Sequence, residues 1–527
     1  MGKYALPVIA IALFIAFFEL SSFTLFDVDE AVFAQASKEM VQNRDWITPT
    51  YNGAKRFDKP IMIYWLMAGS YKMFGINEFA ARFPSAVAAC LLALAVFFFE
   101  GMSKEKAHFS GPFIRREKRA FYAALALMLS LFFLAYSHAA VTDMTLTLFI
   151  TLSLLCFYVY SSKGGKGYIY GFYLFAALAF LTKGLIGIIF PAGIAFIYLF
   201  LTEGVAAALK KIWSTPGILL FLAVSSPWYI ACYVANGNEF IRKFFIKQHF
   251  DRYLHVISGH TGPVYYYIPV LALGLFPWIA FLPQGVKNAF RERKDSPGFL
   301  ALIWLSFVVV FFSFAKTKLP DYVLPGVPAA ALLISSGIST ASGRSGRLSN
   351  WFIALVSLAL AAGFFIAKGY LHKAGIEAGW AYWLSGIMFL MALVSGYCAA
   401  GGKNRNGILA LLMIGFLSVI SLKAVPAASR YLQGGLYNFS IYAKKNLRPG
   451  GVLIGYKINN PSVVFYSGHR VDGIDGAREL AAAVSGSRQA IIITRGRDSA
   501  DVLALNGPSE RVRLLQASGN YRLFEKD

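Results

Sequence analysis

Acidic and basic side chains are concentrated in residues 26–65, between two apolar runs that each look long enough to cross a bilayer. The acids of this stretch are Asp27, Asp29, Glu30, Glu39, Asp45 and Asp58, and its cations are Lys38, Arg44, Lys55, Arg56 and Lys59. A loop that only connects two membrane spans needs few polar residues. The clustering of Asp27, Asp29 and Glu30 favours a functional carboxylate, although a single acid here could simply cap a helix. The cations suit binding of an anion such as a lipid phosphate, or neutralisation of lipid headgroups.

Two local elements are predicted to position these side chains. Apolar residues recur at spacings of three and four between residues 29 and 41, which predicts a helix lying on the membrane surface with Asp29 and Glu30 at its N-terminus. Asn52-Gly53 predicts a tight turn farther along. The acid and base at Asp58-Lys59 follow that turn, where they could also form a surface ion pair of little energetic value.

The composition is that of a polytopic membrane protein. The 527 residues are 57% hydrophobic and only 15% charged, whereas soluble domains carry about 25% charged residues. The formal charge of +23 does not indicate nucleic-acid binding, because many cations lie in short loops between apolar segments, where they set topology or meet anionic lipid. The four cysteines lie inside apolar runs without metal-ligand spacing.

The apolar runs predict about thirteen transmembrane helices. Their approximate bounds are 4–26, 84–100, 119–137, 144–161, 168–182, 184–201, 217–234, 264–282, 298–314, 323–339, 351–368, 380–399 and 407–425. The two short runs around Lys183-Gly184 could instead form one re-entrant or broken pair. Basic loops alternate along the chain, which predicts a cytoplasmic N-terminus and an outer C-terminus.

Two domains are expected on this basis. Residues 1–425 form the membrane domain, with an outer loop at 27–83, and residues 426–527 form a soluble α/β domain on the outer face. Strands are predicted at 452–456, 463–466, 490–494, 512–515 and 521–524, with a helix near 475–484.

The loop motif resembles a known family. It reads D-E-(x)8-E-M-(x)4-D-W-(x)2-P-(x)2-N-G-(x)3-F-D-K-P-(x)3-Y-W, and is similar to the first outer loop of the GT-C glycosyltransferases that use polyprenyl-phosphate sugars. The resemblance is closest to the lipid A aminoarabinose transferases, which share a superfamily with the protein O-mannosyltransferases. Segments 181–184, 247–253 and 318–325 resemble further motifs of that family. The soluble domain matches by position alone.

The chain departs from the family pattern at several places. Asp58 and Ile61 stand where the family usually has F-E-K-P-P, and Gln248 stands where it has an acid before the histidine. Val32-Phe33 replaces the Arg-Tyr pair that often follows the D-E. The missing arginine leaves one phosphate or acceptor contact open and loosens the assignment of lipid A as acceptor.

The resemblance implies an inverting transfer in a single displacement. Such a transfer needs a base for the acceptor proton and positive charge near the leaving phosphate. Asp29 matches the family's catalytic aspartate and is the expected base, and the adjacent Glu30 is a further expected catalytic residue. Lys59 is the expected phosphate ligand. Arg252 and Lys318 are expected to assist Lys59.

Further roles follow from the resemblance. Asp143, at the outer end of the fourth span, resembles a family aspartate near the site and is an expected catalytic residue. Tyr322 matches a tyrosine lining the pocket and is expected to help bind the donor phosphate. Helix capping is the alternative role for Asp143. Asp58 and His249 match positions where the family can hold a divalent metal, such as zinc, magnesium or manganese. Two ligands do not complete a metal site, and His249 could instead hydrogen-bond the phosphate.

These features predict a bacterial inner-membrane glycosyltransferase with a periplasmic active site. The expected donor is a sugar on undecaprenyl phosphate, and the expected acceptor is lipid A or a related glycolipid, with protein hydroxyls as the alternative. A lipid-linked sugar flippase is the alternative from another class, but transporters concentrate polar residues near mid-membrane. A non-catalytic scaffold is disfavoured by the presence of Asp29, Lys59 and His249.

Overall fold

The protein is described by a computed structural model at residues 2–102, 116–244, 261–292, 296–402, 405–506 and 511–526. A large helical part is followed by a small α/β part. The helices of the first part are Gly2–Phe17, Asp29–Asn43, Met62–Phe74, Glu78–Met102, Arg116–Met128, Leu131–Ser137, Asp143–Lys163, Lys166–Lys183, Ile186–Glu203, Val205–Ile212, Thr215–Asn236, Asn238–Ile241, Tyr267–Gly274, Leu282–Glu292, Pro297–Phe314, Val327–Thr340, Gly343–Lys373, Trp380–Ala399, Asn406–Val419 and Val425–Asn446. Short 3-10 turns lie at Val264–Tyr266, Trp278–Phe281 and Pro320–Gly326, and a π-helical segment lies at Ile420–Ala424.

The prediction of a polytopic helical membrane protein is confirmed. Among the described residues, nine helices are long and apolar enough to span a membrane, or up to eleven if each bent pair counts as one span. Each predicted span overlaps a helix or a bent pair, although the helix in the first span, 4–26, ends at Phe17. Two predicted spans are not among these eleven: the helix Gly2–Phe17 has only 16 residues, and Lys166–Lys183 is not counted as a candidate span. By length and composition, the described residues therefore support up to eleven spans, compared with about thirteen predicted.

Two spans are bent for identifiable local reasons. The helices ending at Met128 and starting at Leu131 meet at 61°, and the Ser130 hydroxyl at the break accepts a hydrogen bond from the Phe133 amide at 3.1 Å. The pair around Pro277 meets at 110°, at a residue that has no backbone donor to continue a helix. Gly184 separates two further helices. Its φ of +67° lies outside the helical region, in a conformation that glycine adopts without steric strain. The short runs on either side of it therefore form two helices.

The first outer loop folds as a helix, a hairpin and a second helix. The predicted helix is present at Asp29–Asn43, but most of its side chains are buried instead of lying on a membrane surface. The predicted Asn52-Gly53 turn joins β1 (Thr50–Tyr51) to β2 (Ala54–Lys55), and both of its residues have positive φ, as a tight hairpin turn requires. Glu39 accepts from the Asn52 amide at 2.7 Å, which fixes the hairpin against the helix.

The α/β part contains one five-stranded sheet. Its strands are β3 (Val452–Tyr456), β4 (Val471–Ile474), β5 (Ala490–Arg495), β6 (Val512–Ser518) and β7 (Tyr521–Lys526), in the order β4-β3-β5-β7-β6. β3 pairs in parallel with β4 and β5, whereas β7 is antiparallel to β5 and β6. The remaining elements are the helices Pro461–Ser467, Ala477–Ser485 and Ser499–Leu503 and the 3-10 turn Gly496–Asp498.

One strand prediction in this part is wrong. Residues 463–466 lie in the helix Pro461–Ser467, and the strand β4 follows it instead. A short apolar run does not distinguish a strand from a buried helix. Pro461 in the first turn and Gly468 in the left-handed conformation at the end are the local signals for a helix.

The membrane part and the sheet are connected by a continuous helical stretch. Asn406–Asn446 is helical throughout, so the predicted boundary between residues 425 and 426 falls inside it. Leu436 and Phe439 of this stretch pack against one face of the sheet, in a buried cluster with Leu453 and Ile491. The chain after residue 425 thus includes the helix that covers one face of the sheet.

Candidate active site

Glu30 is buried in a network of hydrogen bonds at the start of the loop helix. Its carboxylate accepts from Arg82 Nε and Nη2, both at 3.0 Å, from the Ala140 amide at 2.7 Å and from the Phe26 amide at 2.9 Å. The Arg82 side chain is fully buried and also donates to the carbonyls of Leu20, Phe23 and Thr24. This geometry favours a structural role for Glu30 over the predicted catalytic one.

Asp29, the preceding residue, is exposed in the first helical turn. Because its neighbour Glu30 is fixed to Arg82, the start of the helix has a defined position. The Asp29 carboxylate lies within electrostatic range of Arg56 and Tyr136. Asp29 therefore presents an accessible carboxylate at a rigid point of the loop, which is the geometry a general base requires.

Arg56 brings a cation from the hairpin to the same region. Its Nη1 lies 2.8 Å from Asp58 Oδ2, and its guanidinium carbon lies 5.8 Å from the centre of the Phe33 ring. Burial disfavours the charged form of Arg56, yet Tyr64, Asp58 and Asp29 hold its pKa above the ordinary value. The guanidinium therefore stays charged, and Asp58, a predicted metal ligand, forms an ion pair with it.

A second cluster lies where three membrane helices begin or end. Lys183 Nζ lies 2.5 Å from Asp143 Oδ1 and 3.5 Å from Asp321 Oδ2. The same ammonium lies 5.7 Å from the centre of the Tyr322 ring. Lys59 of the outer loop is within electrostatic range of Asp143. In this cluster two carboxylates share one lysine, and Lys59 is a second cation nearby.

Tyr136 connects the two groups of residues. It lies in the short helix Leu131–Ser137, and its hydroxyl is within electrostatic range of Asp29, Asp143 and Asp321. The outer loop and the ends of the spans thus form one polar region with both acids and cations. Such a region can bind a phosphate and accept a proton in the same place.

Comparison with known proteins identifies similar sequences. A family model described as dolichyl-phosphate-mannose-protein mannosyltransferase matches residues 58–230. A relative from Aeromonas hydrophila, named undecaprenyl phosphate-alpha-4-amino-4-deoxy-L-arabinose arabinosyl transferase, is 31% identical over 367 residues, covering 68% of this chain and 64% of the relative. A relative of the same name from Yersinia enterocolitica is 31% identical over 322 residues, covering 60% of this chain and 56% of the relative.

A solved structure matches the whole fold. The crystal structure of ArnT from Cupriavidus metallidurans bound to undecaprenyl phosphate has a TM-score of 0.82 and 22% identity, covering 100% of this chain and 98% of that chain. The apo structure of the same protein has a TM-score of 0.81 at 21% identity, covering 99% of this chain and 98% of that chain. The chain has the fold of these structures, and its sequence is similar to the aminoarabinose transferases and to the mannosyltransferase family model. It is a multi-pass protein of the inner membrane, and its alignment covers just under two thirds of the A. hydrophila relative.

Val32 occupies the position where the family pattern often has an arginine. The structure places Arg56 beside the neighbouring Phe33, so a guanidinium from the hairpin lies close to the start of the loop helix. Arg56 is therefore a functional candidate that the sequence motif alone did not select.

Lys318 is placed differently from the prediction. Its ammonium donates to the carbonyls of Phe312, Ser313 and Ala315 at 3.2, 2.8 and 2.8 Å, at the end of the helix Pro297–Phe314. An ammonium has three donors, and all three point at these carbonyls. This arrangement favours capping of the helix over the expected contact with a donor phosphate. Burial also lowers the pKa of Lys318.

The predicted residues His249 and Arg252 lie outside the described residues. In the described part of the chain, no group of three or more His, Cys, Asp or Glu side chains is arranged to hold a metal ion. Asp58 is paired with Arg56 there. The metal site at Asp58 and His249 stays a prediction.

Lys183, Asp321 and Arg82 are site residues that the sequence did not select. Lys183 and Asp321 do lie inside the quoted family segments 181–184 and 318–325, so the signal for them was present. From the sequence alone, a lysine next to a helix-ending glycine could equally be a charge that sets the membrane topology. Arg82 stands outside those motifs, and only the fold brings it to Glu30.

Proposed function

We propose that the protein is an inverting glycosyltransferase that moves a sugar from undecaprenyl phosphate to lipid A or a related glycolipid at the outer face of the membrane. The observation that carries this proposal is the exposed Asp29 carboxylate within electrostatic range of Arg56, with Lys59 in turn within electrostatic range of Asp143. The A. hydrophila and Y. enterocolitica relatives are named for an undecaprenyl-phosphate aminoarabinose donor, which supports this donor class.

The proposed reaction is a single displacement at the anomeric carbon. The acceptor hydroxyl oxygen forms a bond to that carbon, while the bond from the carbon to the phosphate oxygen breaks and undecaprenyl phosphate leaves. Asp29 takes the hydroxyl proton, and the charge of Lys59 stabilises the developing negative charge on the phosphate. Arg252 is proposed as a second phosphate ligand. Tyr322 and the Asp143–Lys183 pair, which lie together, are proposed to contact the sugar.

The orientation in the membrane is part of the proposal. Basic loops on alternate sides support a cytoplasmic N-terminus and a periplasmic C-terminal domain. Cysteine labelling from the periplasm tests this, after replacement of the four native cysteines. A cysteine introduced at exposed Asp475 reacts with an impermeant reagent in intact spheroplasts if the orientation is right. If the cysteine reacted only after membrane lysis, the C-terminal domain would lie on the cytoplasmic side instead.

A divalent metal at Asp58 and His249 is retained as a proposal. When bound, the metal would supply positive charge for the leaving phosphate. Metal content of the purified wild type, compared with an Asp58→Ala/His249→Ala double variant, is the test. Equal metal content in the two proteins would remove the site from the mechanism.

Transfer to protein hydroxyls is the second candidate function. The match of residues 58–230 to the mannosyltransferase model is the observation that favours it. Purified protein is incubated with candidate polyprenyl-phosphate sugars and with either lipid A or a Ser/Thr-rich peptide, and release of free polyprenyl phosphate is measured. Turnover with lipid A supports the first proposal, turnover with the peptide supports the second, and no turnover with any pair excludes both.

A further inference from the structure

Asp27 is held by side chains from the C-terminal part of the chain. Its Oδ1 accepts from the Ser462 amide at 2.8 Å, and its Oδ2 accepts from the Ser462 hydroxyl at 2.6 Å, from Asn460 Nδ2 at 2.9 Å and from Gln433 Nε2 at 3.3 Å. Gln433 lies in the helix Val425–Asn446, whereas Asn460 and Ser462 lie at the start of the helix Pro461–Ser467. A loop carboxylate thus accepts four hydrogen bonds from two different elements. Hydrogen bonds to a charged group are the stronger kind.

Other contacts join the same two surfaces. The Leu25 amide donates to the Tyr466 hydroxyl at 2.8 Å, and that hydroxyl donates to Glu78 at 3.0 Å. Lys38 donates to the Phe465 carbonyl at 2.9 Å. On the hairpin, Asn52 exchanges two hydrogen bonds with the backbone of Val471, at 2.8 and 3.0 Å. The loop is therefore attached to the C-terminal part on both sides of Asp29.

The attachment has a direct consequence for Asp29. Asp27 is two residues before it and is fixed to the C-terminal part, whereas Glu30 is one residue after it and is fixed to Arg82 of the membrane part. The exposed carboxylate thus sits on a short segment that is held at both ends by different parts of the chain. Rigid support of this kind is what keeps a catalytic group in productive geometry.

We infer that Asp27 is a positioning residue and that its contacts with Asn460 and Ser462 make the C-terminal part a component of the active site. This inference rests on the proposed role of Asp29 as the base. Breaking the Asp27 contacts leaves the phosphate-binding cations in place but frees the segment that carries the base. The rate of the chemical step then falls, while binding of the donor changes little.

The test compares Asp27→Asn, Ser462→Ala and the double variant with wild type and with Asp475→Asn. Asp475 is an exposed acid of the same C-terminal part, so its substitution controls for a change of charge. We expect kcat of Asp27→Asn to fall by about tenfold or more, because an amide cannot accept hydrogen bonds through both of its terminal atoms and the segment before Asp29 is released. The KM for the donor should change less than about twofold, since uniform binding is retained. The double variant should lose little beyond Asp27→Asn, because both changes break the same contact.

Hydrogen exchange provides a measurement that does not depend on turnover. Amides in residues 29–33 should exchange faster in Asp27→Asn than in wild type, at a temperature where the spans stay protected. Unchanged exchange in that segment, an unchanged kcat, or an equal loss through donor KM would overturn the inference. Absence of turnover in the wild type would instead refute the proposed function, and the exchange measurement would still decide whether Asp27 holds the loop.

Discussion

Arg82 holds the Glu30 carboxylate through two hydrogen bonds of 3.0 Å, with the arginine side chain fully buried. This pair divides the adjacent acids of the D-E motif into one that is fixed and one, Asp29, that is exposed. The motif therefore combines an anchor with a reactive group in consecutive residues.

Arg82→Ala should destabilise the protein by about 3–5 kcal/mol, because it leaves the buried Glu30 charge without a partner. Thermal unfolding of detergent-solubilised protein measures the loss. Arg470→Ala is the matched control, since Arg470 is largely exposed and its contact with Asp472 is a surface pair. A melting temperature for Arg82→Ala equal to that of Arg470→Ala would contradict the importance of this anchor.

Asp29→Asn should lower kcat by about 10²–10⁴-fold, the range typical for loss of a positioned general base. The amide is similar in size, and Asp29 is exposed, so stability should be unchanged. Release of undecaprenyl phosphate measures kcat, and Asp472→Asn serves as the control. Full turnover by Asp29→Asn would eliminate this residue as the base.

Lys59→Ala should weaken donor use, because a cation is lost from the neighbourhood of Asp143 and the leaving phosphate. We expect kcat/KM for the donor to fall by about tenfold or more, as for loss of a charge-assisted contact. Lys55→Ala is the control, since Lys55 is exposed and lies 3.8 Å from Glu239 in a surface pair. Similar kinetics for the two variants would argue against phosphate binding by Lys59.

Lys183→Met should destabilise the protein, because the Asp143 and Asp321 side chains lose the ammonium that they share. The expected loss is about 3–5 kcal/mol, as for other broken buried ion pairs. Adding Asp321→Asn should restore part of the stability, since one of the two charges is removed. Thermal unfolding of the single and double variants is the measurement. If the second substitution lowered stability further, the shared-lysine arrangement would be wrong.

The sequence predicted most of the membrane architecture because a bilayer imposes strong rules. Length and apolarity locate the spans, and positions such as Asn52-Gly53 have a direct backbone reason. The helix carrying Asp29 was also predicted, but its burial was not, because the hydrophobic pattern does not reveal which element covers it.

The chemical candidates were recovered less completely. Asp29, Asp143 and Lys59 were selected from their motifs, and the structure brings them into one region. Glu30 and Lys318 were selected on the same basis, but Glu30 binds Arg82 and Lys318 donates to backbone carbonyls. Both side chains therefore stabilise the fold. A motif shows which residue types recur, whereas the partner of each side chain depends on distant parts of the chain such as Arg82. For that reason the roles of neighbouring charged residues could not be separated before the fold was known.

The contact between Asp27 and Ser462 joins positions separated by 435 residues. During synthesis the segment with Asp27 is inserted into the membrane early, but Ser462 is made only after the last predicted span. The nascent chain therefore carries its reactive loop through most of translation without the partner that fixes it. The Asp27 contact therefore forms only after the chain has been translated through Ser462.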